Sequence, residues 1–117
     1  MSAKLSTHVL DTAAGRPAAG VAIELWKKSE ADWQLIKKAQ TNADGRTEAP
    51  LLSGDEVRAG EYRLVFDVAS YFRAQGHPDA GTFLTEVPLV FRISDAGAGY
   101  HVPLLVSPWS YTTYRGS

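Results

Sequence analysis

The chain has no cysteine among its 117 residues. Disulfides, thiolate nucleophiles and cysteine-based zinc or iron–sulfur sites are therefore excluded. Histidine is scarce, and no HxH or HxxxH spacing joins the three copies, so neither a metal nor a cofactor is expected. A GxSxG elbow, which would strain a serine at a strand-to-helix turn, is also missing. Nothing approaches the run of about 18 apolar residues that a membrane-spanning helix needs. The opening MSAKLSTHVLD lacks the apolar stretch of a secretory signal, and the final RGS is not a peroxisomal address of the SKL kind. Charge of one sign does not accumulate either, with 12 basic and 13 acidic residues. Lys27-Lys28 and Lys37-Lys38 come nearest to a basic stripe and read as two solvated strand ends. A cytoplasmic protein with no nucleic-acid or membrane partner is expected.

What the chain does have is the composition of one ordinary globular domain spanning residues 1–117, 44% apolar and 21% charged. Its strongest pattern is period-2 alternation in short segments divided by turn residues. In KLSTHVLD, Leu5, Thr7 and Val9 share one face while Ser6, His8 and Leu10 share the other. VAIELWKK turns Val21, Ile23 and Leu25 inward, GEYRLVFDV does so with Tyr62, Leu64, Phe66 and Val68, and PLVFRIS with Leu89, Phe91 and Ile93. GRPAAG, SEAD and NADG are turns, the last with an Asp-Gly pair suited to positive φ. The one helix candidate is DVASYFRAQG, capped by Asp67 or Ser70 and ended by Gly76 and Pro78. This spacing predicts an all-β antiparallel sandwich with one short helix. In YHVPLLVS both faces carry large apolar residues. Its second face is therefore expected to be covered by another subunit. Pro103 suits an edge or an interrupted ladder.

Few residues remain to carry chemistry. His8 and His101 lie on the strand faces opposite the apolar ones, Arg46 follows the Asp44-Gly45 turn, and the tail supplies Tyr114, Arg115 and Ser117 with a terminal carboxylate. Each alone has a plainer reading, as a half-exposed strand histidine or a solvated arginine. His77, in QGHPDAG, reads as a loop residue without a role.

LSTHVLD, GRPAAGV, TNADGR and YHVPLLVSPWSYTTYRGS occur together and in that order, and the similarity they mark extends over essentially the whole chain. The combination resembles the transthyretin-like family, and within it the enzymatic branch of 5-hydroxyisourate hydrolases. The resemblance implies a transthyretin-like sandwich assembled as a homotetramer, a dimer of dimers with active sites on outward sheet faces. It maps the family's catalytic residues onto His8, Arg46 and His101, and its terminal signature onto Tyr114, Arg115, Gly116 and Ser117. These positions differ in transthyretin proper, the hormone carrier. The implied reaction is hydrolysis of 5-hydroxyisourate, with no cofactor. His101 is expected to activate water and His8 to orient substrate or protonate the leaving nitrogen, the reverse assignment being open. Arg46 is expected to stabilise the oxyanion, Tyr114 and Ser117 to bind substrate, Gly116 to allow a last bend, and Arg115 to fix the tail by pairing with a carboxylate. The alternatives are a non-catalytic carrier of a small aromatic ligand and a structural module in the same fold.

Overall fold

Alternation along the chain becomes two facing sheets in the computed structural model, which describes residues 3–116. The first contains β1 (Lys4–Asp11), β2 (Arg16–Pro17), β5 (Leu52–Ser53), β8 (Tyr100–Val106) and β9 (Tyr111–Thr113), and the second β3 (Ala22–Ser29), β4 (Asp32–Gln40), β6 (Gly60–Phe66) and β7 (Val87–Ile93). Their spatial orders are β2-β1-β8-β9, with β5 also on β1, and β4-β3-β6-β7. Leu5, Val9, Ile23, Leu25, Leu64, Phe66, Ile93 and Leu104 fill the space between the sheets. Burying each such side chain contributes about 1.5–3 kcal/mol. Thr7 sits on this apolar face without cost, because its hydroxyl donates to the Val102 carbonyl at 2.7 Å.

The sandwich and its helix match the sequence expectation. The helix, α1 (Val68–Ala74), starts where the Asp67 carboxylate accepts from the Ser70 amide, a cap worth about 1 kcal/mol. GRPAAG departs slightly from a pure turn, since Arg16–Pro17 pair with the end of β1. The larger departure is the β1–β8 pair, which is parallel in a sandwich otherwise antiparallel. These strands are separated by the whole second sheet in sequence, so no hairpin forces them antiparallel.

Pro103 is not on an edge, because β8 lies between β1 and β9. It marks an interruption instead. The β8–β9 ladder runs from Val106–Tyr111 to Leu104–Thr113, and reappears in the same register at His101–Gly116. Between them Pro103 has no N–H to give. One end of the sandwich is closed by Asp11, 2% exposed. Its carboxylate accepts from the Ala13 and Ala14 amides and from the Tyr71 hydroxyl at 2.7 Å. Burial, then the bond to Asp11, push the Tyr71 phenol up to about 12. Among the described residues, no helix is long and apolar enough to cross a membrane.

Candidate active site

The parallel register of β1 and β8 decides where the histidines meet. It sets Ser6 opposite His101 and His8 opposite Pro103, and these alternate with the buried Leu5, Thr7 and Val9. Both imidazoles therefore leave the same outer face of the first sheet, one residue pair apart.

Arg46 reaches that face through the turn built by NADGR. Asn42 Oδ1 accepts from the Asp44 and Arg46 amides, and the Gly45 amide donates to the Asn42 carbonyl. Gly45 has φ of +76°, and a Cβ there would overlap the Val9 carbonyl oxygen. Only glycine lets the turn dock so closely. The Val9 amide then donates to the Gly45 carbonyl at 2.8 Å, and the Arg46 backbone pairs with that of His8 as a single antiparallel rung. The same docking orients His8, whose Nε2 lies 2.8 Å from the Asp44 carbonyl oxygen. A carbonyl only accepts, so Nε2 carries the proton and Nδ1 is the nitrogen left for other chemistry.

His101 is held on both edges of its ring. Nδ1 and the Ser6 hydroxyl are hydrogen-bonded at 2.9 Å. On the other edge lies the tail, where the Gly116 amide donates to the His101 carbonyl at 2.7 Å. A Cβ on Gly116 would come 2.7 Å from His101 Cδ2 and 3.1 Å from its Cβ. Gly116 is absent from the glycines with positive φ. The close approach to the imidazole is itself a reason for glycine here. Ser6 is the residue of this group that sequence reasoning passed over, although it shares the outward face of His8.

The tail residues divide between two faces. Arg115 lies with its guanidinium 4.2 Å from the Tyr100 ring centroid and donates to the Gly99 carbonyl at 3.1 Å. Tyr100 is buried between the sheets, so Arg115 turns away from His101. The ion pairs among the described residues are Lys37–Glu56 and Arg92–Glu61, and there a cation–π stack and a carbonyl hold Arg115. Tyr114 is 59% exposed. Ser117 lies outside the described residues.

Partial burial, then the charge of Arg46, then that of His8 hold the His101 imidazole below its ordinary value of 6.5. It is accordingly neutral at neutral pH. A recess of about 250 Å³ is lined by Ser6, Thr7, Arg46, Lys4 and Glu48 among others; neither histidine lines it, and Ser6 links it to His101. A second cleft of about 380 Å³ opens at the sandwich edge between β7 and the tail, lined by residues such as Phe91, Val102 and Tyr111. It holds Tyr114 and Arg115 but neither histidine. Among the described residues, no group of three or more His, Cys, Asp or Glu is placed to hold a metal ion.

Residues 5–116 match the HIUase/Transthyretin family. The chain belongs to that family. A 5-hydroxyisourate hydrolase of Ralstonia nicotianae is 58% identical over 116 residues, which is 97% of this chain and 98% of the relative. An (S)-allantoin synthase structure superposes with a TM-score of 0.93 at 43% identity, over 99% of this family member. This chain spans 44% of the length of that one. Sea bream transthyretin in complex with thyroxine superposes with a TM-score of 0.87 at 31% identity, covering 97% of this chain and 94% of the other. The synthase and the thyroxine-bound transthyretin thus share this backbone, so the fold alone does not decide between enzyme and carrier.

Proposed function

We propose that this family member is a 5-hydroxyisourate hydrolase of urate degradation, opening its substrate to 2-oxo-4-hydroxy-4-carboxy-5-ureidoimidazoline. The observation that carries this reading is the convergence of His8, Arg46 and His101 on one outer face, beside a tail packed against His101. The 58% identity to the Ralstonia hydrolase supports it from an independent side.

Hydrolysis of a cyclic amide asks for three things: a base for water, stabilisation of the oxyanion, and a proton for the departing nitrogen. Neutral His101 takes the proton of water as its oxygen attacks the ring carbonyl carbon. Arg46, with its fixed fork of donors, holds the developing oxyanion. As the ring C–N bond breaks, the departing nitrogen takes the proton that His101 removed from water, and His8, with Nε2–H committed to the Asp44 carbonyl, orients the substrate by accepting from a ring N–H at Nδ1. Tyr114 and Ser117 supply further polar contacts to the heterocycle. Positioned proton transfer of this kind contributes about 10²–10⁴-fold.

The reading includes a cytoplasmic homotetramer. Association between copies is supported by Val90 at 55%, Tyr111 at 41% and Tyr114 at 59% exposure along the open edges of the two sheets, surfaces that a second copy would cover. The test is to generate 5-hydroxyisourate in situ with urate oxidase and follow its absorbance decay. Acceleration by catalytic amounts of the protein is expected, and a decay no faster than the spontaneous one would leave the carrier reading.

A further inference from the structure

We propose that Ser6 is a positioning residue of this site: its hydroxyl accepts the Nδ1 proton of His101 and so leaves the ring's lone pair on Nε2. This deepens the hydrolase reading and rests on it.

The geometry is specific. Ser6 and His101 are 95 positions apart in the chain, yet they are direct partners in the parallel β1–β8 register, with Oγ and Nδ1 at 2.9 Å. The neighbouring rung is fastened by the Thr7 hydroxyl on the Val102 carbonyl at 2.7 Å, so the register under Ser6 has little freedom to slip. The opposite edge of the imidazole, at Cδ2, meets the Gly116 backbone with no space for a Cβ. Both edges next to Cγ are thus occupied, and among the described residues the Cε1–Nε2 end of the ring is the free one. A ring flip would break the Ser6 bond and turn Cδ2 toward the hydroxyl.

The chemistry of the partner matters as much as its place. A carboxylate at Ser6 would orient the ring but would also favour the imidazolium. A hydroxyl orients it without adding charge, in keeping with the influence of burial, Arg46 and His8, all of which favour the neutral ring. Ser6 also borders the recess beside Arg46, where its own O–H has water to donate to. Accepting from Nδ1 therefore strands no polar group. Which nitrogen of a histidine holds the proton is set by the hydrogen bond that the other one makes. With Nδ1–H committed to Ser6, Nε2 is free to receive the proton of water. The opposite tautomer would offer an N–H there, and His101 would be no base.

The tautomer of His101 is read directly by nitrogen-15 NMR correlation of its ring in the full-length protein, at a pH where the ring is neutral. Wild type and Ser6→Thr should carry the proton on Nδ1, whereas Ser6→Ala should move it largely to Nε2. In the urate oxidase-coupled assay, Ser6→Ala should lose roughly tenfold in kcat with KM nearly unchanged, and Ser6→Thr should restore it. A wild-type ring with the proton on Nε2, or a tautomer indifferent to Ser6→Ala in an active enzyme, overturns the assignment to Ser6 alone. A wild-type protein inert toward 5-hydroxyisourate overturns the hydrolase reading and with it the part of Ser6 in catalysis.

Discussion

At the scale of single residues, the site depends on keeping one imidazole neutral and still. Because His101 titrates below 6.5, the neutral base is present above that midpoint and disappears as pH falls through it. The acid limb of kcat/KM should therefore have its midpoint below 6.5, matching a His101 titration followed by NMR. Arg46→Gln should raise that NMR midpoint only in part, since burial is the largest cause and Arg46 the next. A midpoint at or above the ordinary value in the wild type would contradict this electrostatic picture. Gly116→Ala tests stillness. Its Cβ must displace either the ring or the tail, so kcat should fall by at least about tenfold, roughly the price of one lost positioning contact, with thermal stability little changed. The outward direction of His8 and of His101 was legible in their alternation, and the aim of Arg46 in the turn before it; that the two strands lie side by side was not. Ser6 was not, because a serine on a strand face is common and its importance arises only from a register that spans the chain.

At the scale of elements, two local constructions aim the site. The Asn42–Arg46 turn docks on β1 through Gly45, where positive φ and the Val9 carbonyl together forbid a side chain. Gly45→Ala should cost at least about 2 kcal/mol of stability, measurable by denaturant unfolding, and should also reduce activity by moving Arg46 and the Asp44 carbonyl that holds His8. Tyr71→Phe is the contrasting case. It removes one donor from the buried Asp11 carboxylate at the far end of β1, so it should lower stability by about 1–2 kcal/mol and leave kcat as it was. Strands and helix were readable from hydrophobic period and capping, as Tyr62, Leu64 and Phe66 or Asp67 and Ser70 show. The direction of β8 against β1 was not, since period-2 alternation carries no sign for parallel or antiparallel pairing. That direction is what places His101 beside Ser6.

At the scale of the whole molecule, the fold is shared with a thyroxine-bound transthyretin and the sequence with hydrolase relatives, and on the proposed reading function rests on what decorates one face of one sheet. Among the described residues, Gly116 packs the tail against His101, and Arg115 fastens it from behind on Tyr100. Deleting residues 114–117 should therefore abolish turnover while leaving the two-sheet core folded, as circular dichroism would record. An active truncate would remove the tail from the account. The central claim is tested most directly by the decay of 5-hydroxyisourate, made in situ by urate oxidase, in the presence of wild type and of His101→Asn. The prediction is rapid decay with wild type and near-spontaneous decay with the variant at equal folded concentration. Equal rates for the two proteins, or no acceleration by either, would contradict it.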